Sequence, residues 1–439
     1  MLATFYKTTL FALIILANNA SFAQQNWSLE QCIDSALVNN TGIKILENQE
    51  ALSELKNKEV KSNLLPKIYG NAEYKYFIDL PYQLMPLSVF GGPEGQFKEA
   101  QFGVPHNINL NLTIQVPVYS SKIYGAIEKT EIGKNMVDLQ VEKTKEQIYF
   151  EVSALYRNTQ LLMNKESFLD SSIKNTEVML STINRLKDAL LATGTDAKKV
   201  ELQLLTLQAQ KDEINSKTKQ ILNGLKMYMG LNLDYNLAVD PTIELSNSPI
   251  YEVKPSIETK LNQLQQELIK TDISSLKKSR YIPDVGVVGY LGTNGFGYTE
   301  APNEFLNFYP LSFVGLKITH PLFNGTVTNK QIAQKNIEFE NLQLQQTIVN
   351  DKTSLEIYNA KENLNTALNQ LDLKSKLITL ADEIFDETKL LHKQGLASTQ
   401  DLIMADNELR LAKQNYLSAV TACIVADLEL QKLTGNILK

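Results

Sequence analysis

Two stretches of the chain, 120–191 and 324–393, contain no proline and hold glycine only near their starts. A helix rises 1.5 Å per residue, so each stretch of some 70 residues predicts roughly 105 Å of helix. A helix of that length has no compact core to lie on. We therefore expect each one to pack along a neighbouring helix of similar length.

The helices that follow these stretches carry apolar residues at alternating steps of three and four. In the second half of the chain the series is Leu402, Ala405, Leu409, Ala412, Tyr416, Ala419, Cys423, Ala426, Leu430 and Leu433. In the first half it is Val200, Leu204, Leu207, Ile214, Ile221, Leu225 and Tyr228. A sustained repeat of 3.5 residues predicts left-handed supercoiling of packed helices.

The two halves of the chain follow the same plan. Each begins with a segment of helical period, at 29–64 and 256–279, and then meets a proline, an extended segment, a loop and a second extended segment. A long helix, a break marked by glycine and a last helix ending at Gly230 or Gly435 follow. This order predicts two repeats, at 24–230 and 256–439, joined by a linker at 231–255.

The N-terminus has the features of an export signal. Lys7 precedes an apolar stretch at 10–17, and small residues at 21–23 suit cleavage after Ala23, which predicts a signal peptide at 1–23. Removing Lys7 from the 43 basic residues leaves 42 against 49 acidic ones, which argues against a nucleic-acid surface. No later segment approaches the ~20 apolar residues of a membrane helix, so only a β-barrel could place the chain in a second membrane.

The extended segments alternate between apolar and polar residues. Across 107–116 the polar positions are Asn107, Asn109, Asn111, Thr113 and Gln115. In the second half, Lys317 and Thr319 alternate with Val314, Leu316 and Ile318. Ten alternating residues are typical of a membrane β-strand, although a half-buried hairpin would show the same pattern.

Four such strands cannot close a barrel, and an open sheet edge is not tolerated in lipid. Two subunits would give about eight strands, whose interior side chains fill, whereas three would give about twelve around a polar lumen. We therefore expect a homotrimer in outer-membrane lipid, with the polar strand residues named above facing the lumen.

The helical breaks at 192–196 and 394–398 each offer a glycine for a left-handed C-cap and a small polar residue to begin the next helix. They predict tight helical hairpins with exposed tips.

Cys32 and Cys423 lie on apolar helix faces, which favours buried free thiols over a disulfide. The three histidines are scattered, so we expect no metal site, no cofactor and no enzymatic activity.

Three segments carry a resemblance to a known family. WSLEQCIDSALVNNTGIKI, LLPKI and KQGLASTQDLIMADNELRLAKQNYLSAV resemble the first helix, the first strand entry and the second helical tip of the TolC, or outer membrane factor, family. The resemblance implies a trimeric barrel of twelve strands in the outer membrane, continued by an α-helical tunnel across the periplasm. It also implies extracellular loops at 77–106 and 292–310 and an equatorial belt at 231–255.

By the same resemblance, the periplasmic tips would meet an adaptor protein and an inner-membrane transporter. The tip residues are Gly194, Thr195, Asp196, Gly395, Leu396 and Ser398. Some relatives carry two aspartates in successive rings near the narrowest point and an arginine in the turn. Asp401 matches the first aspartate, whereas Met404 and Ala397 occupy the other two positions. Asp401 and Met404 are therefore the expected constriction, although a solvated acid in a first helical turn would look the same.

The function that these features predict is an outer-membrane channel of a tripartite efflux or type I secretion system in a Gram-negative bacterium. In that reading the chain is a passive duct that crosses the periplasm and is opened by its adaptor and pump. The alternative is a periplasmic coiled-coil structural protein without a pore. The sequence does not distinguish drugs, metals and proteins as the exported substrate.

Overall fold

The structure is a computed structural model that describes residues 26–190, 192–243 and 251–438. The predicted signal peptide lies outside these residues. Two compact units are present: the first draws on the described parts of 1–48, 139–260 and 347–439, and the second on 49–138 and 261–346. The division into repeats and a linker that we predicted from the sequence remains a prediction.

The helices and strands alternate in the order expected for two repeats. The helices are α1 (Leu29–Asn39), α2 (Thr41–Lys61), α3 (Ser121–Asp188), α4 (Gly194–Tyr228), α5 (Ile257–Tyr281), α6 (Val327–Lys393) and α7 (Thr399–Leu433). The strands are β1 (Lys67–Tyr76), β2 (Tyr82–Pro86), β3 (Phe97–Gln101), β4 (His106–Tyr119), β5 (Asp284–Tyr298) and β6 (Phe305–Thr319). The two long helices, α3 and α6, are confirmed at 68 and 67 residues.

The predicted first helix is divided at Asn40. The backbone of Asn40 is extended, its side-chain oxygen accepts a hydrogen bond from Gly42 N at 2.8 Å, and its Nδ2 donates to Tyr228 O at 3.1 Å. An asparagine side chain competes well with helical hydrogen bonds of this kind. The segment predicted at 29–64 is helical, but it consists of two helices that meet at this residue.

The first unit is held by apolar contacts between helices. One cluster joins α1, α3 and α4 and contains Cys32, Ile148, Val152, Tyr156, Leu225 and Met229. A second joins α6 and α7 through Ile357, Ala360, Leu364, Cys423 and Leu430. Both cysteines are buried free thiols, as predicted.

The segment after α4 is tied to α3. Val239 forms a parallel bridge with Trp27, and the Gln160 amide of α3 donates to Asp240 O at 2.7 Å and to Thr242 O at 2.6 Å. Tyr156 also donates to Trp27 O at 3.0 Å. These bonds satisfy backbone carbonyls that a segment without regular structure would otherwise leave unpaired.

The second unit contains an antiparallel sheet of four strands in the order β1-β4-β5-β6. Within the described residues, β1 and β6 each have one neighbouring strand, so both edges of the sheet are open in the single chain. Together with the long helices, this sheet agrees with the predicted fold class of a mainly helical chain that contributes four strands. Among the described helices, none is both long and apolar enough to cross a membrane.

Both loops that we predicted to be extracellular are shorter in the structure than in the prediction. Strands β5 and β6 pair from Asp284↔Thr319 to Tyr298↔Phe305, so most of the loop predicted at 292–310 is strand. The loop predicted at 77–106 contains a separate hairpin in which β2 pairs with β3. The glycines of β5 hid its alternation, because a glycine contributes no side chain to either face.

Candidate functional site

The structure brings the polar residues of β4 together on one face of the four-stranded sheet. Asn109 Nδ2 donates to Asn294 Oδ1 of β5 at 2.7 Å, and Asn71 Nδ2 of β1 donates to Asn111 Oδ1 at 3.0 Å. Thr113 Oγ1 donates to Asn111 Oδ1 at 3.2 Å. We call these five side chains the amide column. Asn71 and Asn294 were not among the predicted lumen residues, because only the register of the strands places them beside β4.

The other predicted lumen residues lie on the same face. Asn107 and Gln115 are two residues beyond the column at either end, at positions of the same alternation. Lys317 pairs with Gly286, which is opposite Pro117 of β4, and Thr319 pairs with Asp284. The structure thus assembles all seven predicted residues on one side of the sheet. That this side lines a lumen remains a prediction.

The opposite face of the sheet is apolar and exposed. It carries Ile68, Leu110, Leu112, Ile114, Leu291, Val314, Leu316 and Ile318. Large exposed apolar surfaces mark contact with a partner or with lipid. The two faces therefore differ in the manner of a membrane strand, with one side suited to lipid and the other to water.

The polar face also carries six aromatic side chains on β5 and β6, which the sequence reading did not single out. Tyr290 stacks on Phe313 with ring centroids 5.3 Å apart. The other pairs are Phe296 with Tyr309 at 6.0 Å and Tyr298 with Phe305 at 6.5 Å. The Tyr290 hydroxyl lies 3.5 Å from Asn109 Nδ2, which places these rings on the same face as the amide column. We call the six rings the aromatic column.

The first helical tip does not use the glycine that we predicted. Helix α3 ends at Asp188, and the left-handed residue that follows it is Leu190, with φ 62°. Gly194 is instead the first residue of α4, because Thr193 is its N-cap and forms a reciprocal capping box with Asp196. The predicted C-cap role of Gly194 is therefore wrong. Thr195 is exposed beside it.

The second tip has the predicted geometry. Gly395 is left-handed with φ 76°, and Leu396 N donates to Leu391 O at 2.9 Å, which closes the C-terminus of α6. Ser398 is the N-cap of α7 and forms a capping box with Asp401. Leu396 is 75% exposed and Leu190 of the first tip is 93% exposed, so both tips present a leucine to solvent.

The two tips are the same structure repeated. The left-handed residues Leu190 and Gly395 are 205 positions apart (395 − 190), as are the N-caps Thr193 and Ser398. The left-handed glycines after the last helices, Gly230 and Gly435, keep this spacing, and both helices between are 35 residues long. The two halves of the chain thus have the same spacing from the end of the long helix onward.

Asp401 has the same local environment as Asp196. Its Oδ2 accepts hydrogen bonds from Ser398 N at 2.9 Å and from Ser398 Oγ at 2.6 Å, and these bonds hold the pKa of Asp401 below its usual range. The bonds that Asp196 accepts from Thr193 lower its pKa in the same way. Met404 is exposed three residues after Asp401, on the same side of α7.

The two hairpins pack on each other within the first unit. Ile183 of α3, Ala197 and Val200 of α4, and Ile403 of α7 form one apolar cluster just behind the tips. Val200 is fully buried in this core. Among the residues that the structure describes, no group of three or more His, Cys, Asp or Glu side chains could hold a metal ion.

The fold is that of known outer-membrane channels. The outer membrane protein VceC of Vibrio cholerae is similar over 93% of this chain and 96% of its own, with a TM-score of 0.74 and 13% identity. The CmeC outer membrane channel of Campylobacter jejuni is similar over 94% and 86%, with a TM-score of 0.72 and 13% identity.

The open state of the MtrE outer membrane channel of Neisseria gonorrhoeae is similar over 94% of this chain and 89% of that one, with a TM-score of 0.72 and 16% identity. No protein-family model matches the sequence, and no curated protein matches it either. The TolC-like fold that the sequence resemblance implied is confirmed by these structures.

Proposed function

We propose that this chain is the outer-membrane channel of a tripartite efflux or type I secretion system in a Gram-negative bacterium. It would act as a homotrimer and as a passive duct, without catalysing a reaction. The sheet would lie in the outer membrane and the long helices in the periplasm. The similar structures support this proposal, because those of V. cholerae, C. jejuni and N. gonorrhoeae are described as an outer membrane protein and as outer membrane channels.

The observation that carries the proposal is the open sheet. Strands β1 and β6 each leave one edge unpaired, and one face of the sheet is apolar while the other is polar. In lipid every backbone polar group must find a partner, so these edges require neighbouring subunits. Three copies would supply about twelve strands and an interior wide enough for a polar lumen.

The surface of α6 supports association as well. Its exposed side chains include an apolar series at Ile337, Leu344, Ile348, Leu355, Tyr358, Leu373, Leu377, Leu380, Ile384 and Leu391. A series with this spacing is the seam of a helix that packs against another helix. Within the single chain these residues face solvent, so helices of a second and third copy are the partners that the seam fits.

We further propose that the two tips form the contact with the periplasmic adaptor, which in turn links the channel to an inner-membrane transporter. The exposed leucines at the tips, Leu190 and Leu396, and the exposed Thr195 would be the contact residues. Replacing Leu396 or Thr195 with arginine should abolish export while oligomers stay in the membrane. Export that continues with both residues replaced would place the docking surface elsewhere.

Asp401 and Met404 are the proposed constriction. Threefold symmetry would bring three Asp401 carboxylates near the axis, and like charges held close together attract multivalent cations. Conductance of reconstituted channels tests this, with block by a divalent cation as the expected result. Asp401→Asn should relieve most of the block, and a block that is unchanged in this variant would leave Asp401 as a helix cap alone.

The duct itself is tested by fractionation and conductance together. We expect the mature chain in the outer-membrane fraction, with a detergent-extracted mass of three copies and ion conductance in planar bilayers. A monomer recovered from the periplasm that does not conduct would favour the structural coiled coil instead. Identifying the transporter that copurifies would then distinguish efflux of small molecules from protein secretion.

A further inference from the structure

The polar face of the sheet combines two kinds of surface that the proposed function does not by itself require. The amide column follows β4, and the aromatic column follows β5 and β6 beside it. Eight residues separate Tyr290 from Tyr298, which at the rise of a β-strand corresponds to about 27 Å. The amide column covers four residue steps of β4, about 13 Å, and therefore runs beside the half of the aromatic column that begins at Tyr290.

Much of the aromatic column is open to solvent. Tyr309 is 55% exposed and Phe313 is 52% exposed, and Phe296 and Phe305 are also exposed. Apolar surface left in water is unfavourable, and a contiguous exposed patch of it marks an interaction site. A row of rings along a face that would line a water-filled lumen thus indicates that solutes make contact there.

The amide column offers hydrogen bonds without charge. Each asparagine side chain has two donors and two acceptor lone pairs, and the bonds between Asn109, Asn111 and Asn294 use only part of this capacity. The nearest charges on β1, Glu73 and Lys75, pair with each other at 3.0 Å. A solute that fits this column is therefore neutral and rich in hydrogen-bonding groups.

We propose that the two columns form a binding track for saccharide chains along the inner wall of the channel. A pyranose ring has flat faces of C–H groups and an edge of hydroxyl groups, which match the rings of the aromatic column and the amides beside them. A lipid tail would leave the amides unsatisfied. The track rests on the proposed function, because it requires this face to line a lumen.

Binding is tested by equilibrium dialysis of maltohexaose against the full-length channel, purified in an amine-oxide detergent because glycoside detergents would compete. We expect saturable binding by the unaltered protein. Tyr309→Ala and Phe313→Ala should each weaken it about tenfold. Sorbitol, a linear polyol without a ring face, should compete poorly.

Neighbouring residues on the opposite face provide matched controls. Phe308 is 48% exposed and Val314 is also exposed, and both lie on β6 directly beside the two track residues. Phe308→Ala and Val314→Ala should leave maltohexaose binding unchanged. If either control weakens binding as much as the track variants, if sorbitol competes equally, or if the unaltered protein binds no maltohexaose, the track is refuted.

Conductance separates this proposal from the proposed function. A protein that conducts ions in planar bilayers but binds no maltohexaose refutes the track and leaves the duct in place. A protein that binds maltohexaose through Tyr309 but conducts nothing keeps a saccharide site on this face and refutes the duct, and with it the track along a channel wall. Asn109→Ala, which removes a neutral amide and no ring, gives a third variant in case an aromatic substitution prevents assembly.

Discussion

Substitutions at the left-handed residues of the two tips should change the local stability of each tip in opposite directions: Gly395→Ala should destabilise the second tip, and Leu190→Gly should stabilise the first. Leu190 and Gly395 occupy equivalent positions, with φ 62° and 76°. The left-handed conformation destabilises a residue with a Cβ atom by roughly 1–2 kcal/mol. Replacing glycine by alanine also lowers the conformational entropy of the unfolded chain, which stabilises the folded state by about 0.4–1 kcal/mol. A Cβ at Gly395 would meet no atom within 4 Å, so no steric term is added.

Gly395→Ala should therefore destabilise the second tip by about 1 kcal/mol, which is about fivefold in the local opening equilibrium. Leu190→Gly should stabilise the first tip by a similar or smaller amount, since the leucine side chain is 93% exposed and little burial is lost. Hydrogen exchange of peptides covering each tip measures both effects, because local opening limits exchange there. Peptides from α1 serve as the internal control.

Exchange at the second tip that is unchanged or slower in Gly395→Ala would refute the backbone argument. The same variants also test the docking proposal. Leu190→Gly removes an exposed apolar side chain while it relieves backbone strain, so export should fall although the tip becomes more stable. A rise in export with tip stability would mean that rigidity, and not contact by Leu190, limits docking.

Three further predictions concern the caps and the thiols. Ser398→Ala and Thr193→Ala should each cost about 1 kcal/mol of local stability and speed hydrogen exchange at their own tip, whereas Ser398→Asp should not. The pKa of Asp401 is lowered in the folded chain, so its contribution to stability is present above the unfolded-state pKa and is lost as the pH falls through the folded-state pKa. Acid titration followed by hydrogen exchange should show this opening, and Asp401→Asn should remove its pH dependence. Burial raises the pKa of the Cys32 thiol to about 12, so mass spectrometry should find it unalkylated at pH 8 until the chain is denatured.

The long helices could be predicted because heptad spacing is a property of the sequence itself. The tips were harder. Gly194 was taken as a C-cap because glycine is the usual left-handed residue, but the capping box of Thr193 and Asp196 makes it the first residue of α4. The left-handed position falls on Leu190, whose type gives no hint of its backbone conformation. Only comparison with the second tip at the fixed spacing could have located it.

For the sheet, the sequence could not predict the register, that is, which residues of neighbouring strands pair with each other. The alternation of β4 predicted which of its residues share a face, because the side-chain period of a strand is two. Asn71 and Asn294 join that face only through pairing with Asn111 and Asn109. Sequence distance gives no information about such pairing. The aromatic column was missed for the same reason, since its members are contributed by two strands and Gly292 interrupts the pattern.

The two halves of the chain are alike in their helical tips and last helices but differ on the polar face of the sheet. From the left-handed residue at each tip to the glycine after the last helix, the halves keep one spacing and one capping geometry. On the polar face of the sheet, β4 presents amides, whereas β5 and β6 carry the six rings together with Asn294. Helix caps and hairpin turns constrain the backbone in the same way in both halves, so they preserve the repeat. A solute in the lumen would contact side chains of several strands at once. Because neighbouring strands carry different side chains, the rings can bind the flat face of one molecule while the amides bind its polar edge.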